Sequence, residues 1–225
     1  MAIIRLRDIS KVYRTKEIET IALDNVNLDI EKGEFVSIMG PSGCGKSTLL
    51  NIIGLLTAPT TGSVSIMDTD TGRMNDNRLS DFRNHNIGFV FQSFHLIPSL
   101  NVSDNVELPL IYRKGISASE RKRKVAAALD RLGMSHRTRH FPSQLSGGQC
   151  QRVAIARAII GDPQIVLADE PTGNLDPDTS HQIVALLHNI AAKGTAVLMA
   201  THNIQLVEEF PGRVLKCDNK RLVEC

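Results

Sequence analysis

The sequence predicts an α/β fold with a mostly parallel sheet at its core, and three observations lead to this. Four short runs are apolar at nearly every residue, as is typical of strands covered by helices on both faces. Each run ends on polar residues, and helix-like apolar spacing lies between the runs. The chain of 225 residues is long enough for one well-buried domain, residues 1–225, and short for two. The four runs are residues 35–39, 88–91, 165–168 and 195–200.

The first part of the chain predicts an N-terminal antiparallel β subdomain. Residues 3–9 alternate apolar and charged side chains, and residues 25–30 do so again before a turn at residues 31–33. Such alternation indicates half-exposed strands. Because both segments precede the first fully apolar run, we expect a separate sheet in front of the parallel one.

The stretch between residues 93 and 160 predicts an inserted α-helical subdomain. Ser103 can cap a first helix of this insertion. Ser117 with Glu120 forms a capping-box pattern before a second helix that reaches about Leu132. We therefore expect helices to interrupt the strands of the parallel sheet here.

The last third of the chain contains one further helix signal and one turn signal. Asp176 followed by Pro177 is typical of the cap and first residue of a helix, which we expect to run toward Ile190 with Gly194 just past its end. Asp218-Asn219 is typical of a hairpin turn. The chain is therefore predicted to end in a small hairpin.

Residues 40–48 read Gly-Pro-Ser-Gly-Cys-Gly-Lys-Ser-Thr and fit the phosphate-binding loop G-x-x-x-x-G-K-[ST] at every fixed position. Glycines there let backbone N–H groups approach phosphates, Lys46 can reach the terminal phosphate, and the Ser47 hydroxyl can ligate Mg²⁺. The alternative is an ordinary Gly-rich turn. A strand-like run before the loop and helical spacing after it favour the P-loop, since a helix N-terminus attracts anions. The helically spaced residues are Leu49, Leu50, Ile52, Ile53 and Leu56. The predicted nucleotide-binding loop comprises Gly40, Pro41, Ser42, Gly43, Cys44, Gly45, Lys46, Ser47 and Thr48.

Two adjacent carboxylates follow the third apolar run. Asp169 can hold Mg²⁺ directly or through water, and Glu170 can orient or deprotonate an attacking water. The alternative is that both acids simply face solvent at a strand end. Ligands in open α/β sheets bind beyond the carboxyl ends of the strands, so the neighbouring P-loop favours the catalytic interpretation.

A second helix N-terminus also has the features of an anion site. Residues 145–149 read Leu-Ser-Gly-Gly-Gln, and Ser146 with Gln149 forms a capping box. Capping does not require Gly147 and Gly148, and these glycines allow an anion to approach the helix closely. The sequence therefore predicts two phosphate-binding segments about a hundred residues apart.

With the P-loop, residues 145–149 resemble the signature of ATP-binding-cassette (ABC) ATPases, and the match runs along essentially the whole chain. The resemblance implies a head-to-tail dimer, with a second copy or with another cassette, in which the signature of one subunit completes the ATP site of the other. It implies ATP and Mg²⁺ as cofactors, an integral membrane permease as partner, and a cytoplasmic location on the inner face of the membrane. Residues 171–176, Pro-Thr-Gly-Asn-Leu-Asp, resemble the branch that serves lipoprotein release, macrolide export and bacterial cell division.

The same resemblance implies roles for further residues. It assigns Tyr13 to stacking on adenine, Gln92 to contact with Mg²⁺ and the attacking water, Asp176 to the cross-subunit loop, and His202 to the γ-phosphate. The alternatives are an ordinary strand aromatic for Tyr13, a surface amide for Gln92 and a structural histidine for His202. Cys150 stands where the family usually has Gln or Glu, and we expect a thiol reagent there to slow dimer closure.

Composition limits the other functional classes. A net charge of +2 predicts no strong footprint for nucleic acid, so no nucleic-acid partner is expected. The four scattered cysteines are typical of reduced thiols. The sequence contains no run of 18 apolar residues, so it predicts no membrane-spanning helix. Three alternatives stay open: a non-transport cassette protein acting on nucleic acid or ribosomes, a small-molecule kinase using the same loop, and a regulatory subunit whose partner transports nothing.

Two surface segments complete the predictions. Residues 94–98 are an apolar stretch that either fills the junction between subdomains or, by the family resemblance, receives a helix of the permease. Residues 113–139 contain nine Lys or Arg against two acids. This basic segment is either a solvated helix face or a surface that meets anionic lipid headgroups.

Overall fold

The computed structural model describes residues 2–14 and 19–224, and within them ten strands form two sheets. An antiparallel sheet of four strands has the order β2-β1-β4-β5, and a six-stranded sheet has the order β10-β9-β3-β8-β7-β6. The strands are β1 Ala2–Arg14, β2 Glu19–Glu31, β3 Phe35–Met39, β4 Thr61–Ile66, β5 Thr69–Asp70, β6 Ile87–Phe91, β7 Ile165–Asp169, β8 Ala196–Thr201, β9 Arg213–Asp218 and β10 Arg221–Glu224. The helices are α1 Lys46–Ile53, α2 Asp76–Asn86, α3 Val102–Ile111, α4 Ala118–Arg131, α5 Gly147–Ile159, α6 Pro177–Ala192 and α7 Ile204–Glu209.

The larger sheet is parallel except at one edge, which confirms the predicted fold class. Strand β3 pairs in parallel with β8 and β9, β7 pairs in parallel with β8 and β6, and only β10 runs antiparallel, beside β9. All six residues of β8 are buried, as expected of a strand covered on both faces. Parallel strands end at a common edge, so β3, β6, β7 and β8 deliver their following residues to one side of the molecule.

Two apolar cores lie on the two faces of this sheet. Successive side chains of a strand point to opposite faces. Accordingly Leu198 of β8 belongs to the core shared with the antiparallel sheet and α1, while Val197 and Met199 belong to the core shared with α3 to α6. The antiparallel N-terminal sheet is therefore a layer in front of the parallel one, as the alternating pattern predicted.

Helices α3, α4 and α5 lie between β6 and β7 in the chain, and two of their predicted caps need comment. Asn101, not Ser103, caps α3, because its Oδ1 accepts from the Asp104 N–H at 2.9 Å and Asn caps as well as Ser does. The Ser103 prediction is wrong. Ser117 caps α4 as predicted through the Glu120 N–H, although the structure shows only this half of the capping box.

The C-terminal predictions hold with one shift of register. Asp176 caps α6 with Pro177 as its first residue, and Gly194 follows with φ +100°. The hairpin loop is Asn219-Lys220, one residue later than predicted, since both residues adopt the left-handed conformation that a two-residue turn requires.

Helix α1 ends at Ile53, so Leu56 lies beyond the helix and is 49% exposed, contrary to its predicted place on the buried face. Among the described residues, no helix is both long and apolar enough to cross a membrane.

Candidate nucleotide site

The carboxyl edge of the parallel sheet opens onto a cavity of about 650 Å³. Gln92 after β6, Glu170 after β7 and His202 after β8 line it together with the P-loop. The structure therefore brings together residues that the sequence placed at the ends of separate strands. The P-loop members in the wall are Ser42, Gly43, Gly45, Lys46, Ser47 and Thr48.

The N-terminus of α1 carries no side-chain cap. Gly45 precedes the helix with φ +113°, and no side chain bonds the first N–H groups. A Cβ on Gly45 would lie 2.4 Å from the Ala22 carbonyl oxygen, so only glycine fits against β2 there. Open N–H groups and the helix dipole together make this end a site for a negatively charged group.

The Lys46 ammonium lies inside the loop. Its Nζ donates to the carbonyl oxygens of Gly40 at 2.7 Å and Pro41 at 3.1 Å, and the side chain is only 7% exposed. A buried ammonium held by neutral carbonyls keeps most of its charge available to an anion in the adjoining cavity. Lys46 is therefore placed to bind phosphate oxygens.

Asp169 and Ser47 together fit a divalent cation. Ser47 donates a hydrogen bond to Asp169, whose Oδ1 is buried without a hydrogen-bond partner among the residues the structure describes. Burial, and to a smaller extent the neighbouring Glu170, raises the pKa of Asp169 against the effect of that hydrogen bond. Mg²⁺ prefers carboxylate and hydroxyl oxygens and would offset this desolvated charge. The donor set therefore suits Mg²⁺.

The Glu170 carboxylate lies between two basic groups. One oxygen is 3.0 Å from His202 Nδ1 and the other is 3.9 Å from Lys46 Nζ. The Glu170 N–H donates to the Ala200 carbonyl of β8 at 2.9 Å, and its φ of +47° is unusual for a residue with a side chain. Such a conformation costs about 1 kcal/mol and is often retained at functional sites. The backbone thus fixes where this carboxylate points.

His202 and Gln92 have surface positions at the cavity. The His202 side chain is 71% exposed, so it is not a buried structural histidine. Gln92 Nε2 donates to Asn174 Oδ1 at 3.4 Å, and Asn174 Nδ2 donates to the Gln92 carbonyl at the same distance. The loops that follow β6 and β7 are therefore joined at the cavity rim.

Some predicted residues lie outside the cavity wall. Tyr13 is 45% exposed on β1 with Lys11 Nζ 5.1 Å from its ring centroid, and its register partner Thr20 lines the cavity in its place. Cys44 is buried, and Cys217 donates to its carbonyl oxygen at 2.8 Å. Burial and the contact with Cys44 raise the pKa of Cys217 to about 12. Gly40 and Pro41 border a smaller neighbouring cavity of about 320 Å³.

The N-terminus of α5 is capped by its own side chains. Ser146 Oγ accepts from the Gln149 N–H at 3.3 Å, and Gln149 Oε1 accepts from the Ser146 N–H at 3.1 Å, which confirms the capping box. A Cβ on Gly148 would lie 2.5 Å from Thr179 Cγ2, and one on Gly147 would lie 3.2 Å from Leu175. Gly148 thus also serves packing against α6, and Gly147 serves packing against the loop just before α6, which sequence reasoning missed.

None of residues 146–149 is in the wall of the P-loop cavity, as far as the described chain goes. Asp176 is also outside it and caps α6 by accepting from the Thr179 N–H at 2.9 Å, and the hydrogen bonds from Thr179 lower the pKa of its carboxyl. Within one chain the two predicted phosphate-binding segments are therefore separate.

Two features of the site differ from expectation or were missed. The Cys150 thiol is buried, donates to the Pro142 carbonyl oxygen at 3.6 Å and has its pKa raised by burial, so it is poorly placed for a thiol reagent. Lys220 of the C-terminal hairpin lines the cavity and donates to the Gly43 carbonyl at 2.6 Å. No local sequence signal identifies Lys220, because it reaches the P-loop only through the fold.

Fold and site together define a P-loop domain that binds and hydrolyses a nucleoside triphosphate. The family model described as ABC transporter matches residues 23–173. The chain belongs to the ABC transporter family, as predicted, and is an ATP-binding, ATP-hydrolysing cassette that uses Mg²⁺.

Three similar proteins illustrate this membership. An uncharacterized ABC transporter ATP-binding protein of Thermotoga maritima is 48% identical over 207 residues, 92% of this chain and 88% of that protein. The macrolide export ATP-binding/permease protein MacB of Hyphomonas neptunium is 42% identical over 98% of this chain, which spans 34% of that protein. A solved dimer of the cassette MJ0796 of Methanocaldococcus jannaschii, described as a post-hydrolysis state bound to ADP and Pi, superposes with a TM-score of 0.90 at 45% identity, covering 99% of this chain and 97% of that one.

Proposed function

We propose that this chain is the motor subunit of a transporter of the lipoprotein-release, macrolide-export or cell-division branch. The observation that carries this is that the N-terminus of α5, capped by Ser146 and Gln149, lies outside the P-loop cavity of its own chain. A head-to-tail pair of copies would place the α5 end of each on the P-loop nucleotide of the other. Similarity to the dimeric cassette MJ0796 and to MacB supports the pairing and the branch.

The residues of the cavity divide the work of hydrolysis among them. P-loop N–H groups and Lys46 bind the β- and γ-phosphates, while Ser47, Asp169 and Gln92 would hold Mg²⁺, which supplies positive charge to the phosphate oxygens. Glu170 accepts the proton of the attacking water as general base. His202, whose Nδ1 already bonds Glu170, orients that carboxylate and presents its other ring nitrogen to the γ-phosphate.

The remaining predicted residues act at the edges of the site. Tyr13 lies one strand away from the cavity wall, and we assign it to the adenine side of the nucleotide. Ser146, Gly147, Gly148 and Gln149 form the clamp on the nucleotide of the second copy. Asp176 belongs to the same face, because the N-terminus of α6 packs against Gly148.

A dimer-trapping experiment tests this function. Glu170→Gln protein with saturating Mg·ATP should elute as a dimer from a sizing column, because ATP stays bound and intact. Adding Ser146→Arg should return it to the monomer, whereas Ser143→Arg, also at an exposed position four residues before Gly147, should not. Dimers that survive Ser146→Arg, or monomers throughout, would contradict the proposed arrangement.

The permease site is proposed for a groove of about 650 Å³ beside β6. Phe89, Phe91, Leu108 and Tyr112 line it, and Tyr112 is 75% exposed. The predicted apolar stretch at residues 94–98 contributes no residue to this lining among the described positions, and Leu96, which is partly buried, packs against the core of α3 to α6 instead. An amphipathic helix at the cytoplasmic side of the permease fits a groove of this composition.

Co-purification of the detergent-solubilised complex tests the groove. Tyr112→Asp should lose the membrane partner while keeping ATP binding, because a charge would face the apolar side of the docked helix. Val223→Asp changes an equally apolar exposed position on the far edge of the sheet and should retain the partner. Equal recovery of the partner with both variants would exclude the groove.

We propose that part of the basic segment contacts anionic lipid headgroups. Arg113, Arg121 and Lys124 are engaged with Gly161, Glu107 and Asp162, respectively. Lys122 and Arg123 have no such partner among the described residues, and each could contribute about 1 kcal/mol of membrane attraction. Unchanged binding of the assembled complex to anionic vesicles after Lys122→Glu and Arg123→Glu would remove this idea and with it the peripheral contact.

A further inference from the structure

Gln151 is a fully buried amide on α5, two residues beyond the capping box. Its Nε2 donates to the carbonyl oxygen of Pro171 at 2.6 Å and to that of Phe91 at 3.3 Å. Two acceptors fix the orientation of the amide, because only its NH₂ group can bond carbonyls. One side chain therefore ties α5 to two segments that are 20 and 60 residues away in the chain.

The two carbonyls belong to the backbone of the hydrolysis site. Phe91 is the last residue of β6 and is followed by Gln92, and Pro171 directly follows Glu170. Gln151 thus holds the backbone next to the proposed water-orienting amide and next to the proposed general base. The contact between Gln92 and Asn174 joins the same two loops a second time at the rim.

A polar side chain at this buried position is unfavourable for stability alone. Gln151 Oε1 is buried and has no hydrogen-bond partner within the described residues. A buried unpaired acceptor destabilises a protein, so an apolar residue of similar length would pack there at lower cost. The position is therefore better explained by what the NH₂ group holds than by packing.

Arg157 attaches the same helix to the same loop further on. Its two terminal nitrogens donate to the carbonyls of His95 at 2.6 Å and Phe94 at 2.8 Å, and burial lowers the pKa of its guanidinium. Phe94 and His95 both have positive φ, so these bonds hold a strained turn. Helix α5 consequently fixes the first part of the loop after β6 at two points, while its own N-terminus remains at the surface.

We propose that Gln151 is a positioning residue that makes hydrolysis in one site depend on nucleotide held at the other. This inference rests on the proposed function, in which the N-terminus of α5 contacts the nucleotide bound to the second copy. When that nucleotide fixes α5, Gln151 holds the Gln92 and Glu170 segments of its own chain in place. Each site would then be fully aligned only when the other is occupied, which is a coupling between two binding sites.

Steady-state ATPase kinetics of the full chain test the inference with Gln151→Met, which keeps the shape and removes the donor. We expect kcat to fall about tenfold or more, since small misplacements of catalytic groups have effects of that size. KM should change less than about twofold, and the Hill coefficient should fall from about 2 toward about 1 as the coupling is lost. Gln182→Met, an exposed glutamine whose Oε1 accepts from Arg152, should leave all three values unchanged.

The outcomes separate this inference from the proposed function. A chain that stays monomeric with Mg·ATP in the Glu170→Gln background overturns the proposed function and this inference with it. A dimerising parent with a Hill coefficient of 1 overturns the inference alone. A cooperative parent with a folded Gln151→Met variant of unchanged kcat and Hill coefficient overturns the inference alone. If Gln151→Met does not fold, Gln151→Asn, whose shorter amide cannot span both carbonyls, is judged by the same criteria.

Discussion

The N-termini of α1 and α5 both resemble phosphate sites in sequence, but the structure prepares them differently. Helix α1 starts after Gly45 with no side-chain cap, so its N–H groups remain open toward the cavity. At α5, Ser146 and Gln149 satisfy each other's backbone N–H groups. The first end is ready for an anion within one chain, whereas the second already has a side-chain cap and is stable without an anion. This difference matches a site that binds ATP first and closes on a partner second.

The largest expected effect is on the rate of hydrolysis in the cavity at the N-terminus of α1. Glu170→Gln should lower kcat about 10²- to 10⁴-fold while ATP binding is retained, because the amide cannot accept the proton of water. Single-turnover hydrolysis measures this directly. His202→Gln should have the smaller effect of the two, since it removes the group that orients Glu170 and leaves the base itself in place. Hydrolysis at the parent rate by Glu170→Gln would show that another group is the base.

The N-termini of α1 and α5 should also differ in their contribution to the ATP affinity of a single chain. Lys46→Met should weaken binding of a fluorescent ATP analogue about 10- to 100-fold, the range for losing a charge-assisted hydrogen bond. Ser146→Ala should leave this single-chain affinity within about twofold, because α5 lies outside the cavity. Lys193→Met, an exposed lysine at the C-terminus of α6, is the control. Equal weakening by Lys46→Met and Ser146→Ala would mean that both ends meet the same nucleotide in one chain.

Most features of the two helix ends could be predicted from the sequence, because the signals for them are local. The P-loop, the Asp169-Glu170 pair and the Ser146 capping box each depend on neighbours in the chain, and all are found where predicted. Lys220 and Gln151 were missed because their contacts are made across the fold, to Gly43 and to Pro171. The Ser103 prediction failed although its signal is local, because two such signals competed. Asn101 and Ser103 are both good caps and lie two residues apart, and the sequence alone does not select between them.

A third prediction concerns the charge of the metal site at the α1 end. Asp169→Asn should raise the free energy of unfolding at pH 7 in EDTA, because burial opposes the ionised carboxyl and raises its pKa. The folded pKa lies above the unfolded value, so the destabilisation is absent at low pH, appears as pH rises through the unfolded pKa and is complete above the folded one. The two proteins should therefore converge near the acid end of the stability profile.

Urea titrations over a pH series, with and without Mg²⁺, measure this effect. Mg²⁺ should stabilise the parent and leave Asp169→Asn almost unchanged. Asp81→Asn removes a carboxylate that is 74% exposed and should behave as the parent at every pH. Equal stabilisation of the parent and of Asp169→Asn by Mg²⁺ would exclude Asp169 as the metal ligand.

The smallest expected effect comes from the α5 cap and distinguishes its two uses. Ser146→Ala should lower the free energy of unfolding by about 1 kcal/mol, the usual value of a lost cap, and Ser42→Ala in the uncapped P-loop should change it little. Ser146→Asp should restore stability, since Asp caps as well as Ser does. It should nevertheless prevent ATP-induced dimers, because a carboxylate would face the phosphates of the second copy. If Ser146→Asp is stable and still dimerises, the N-terminus of α5 has only a packing role. If it is stable and does not dimerise, the result supports contact of the uncharged Ser146 hydroxyl with the phosphates of the second copy.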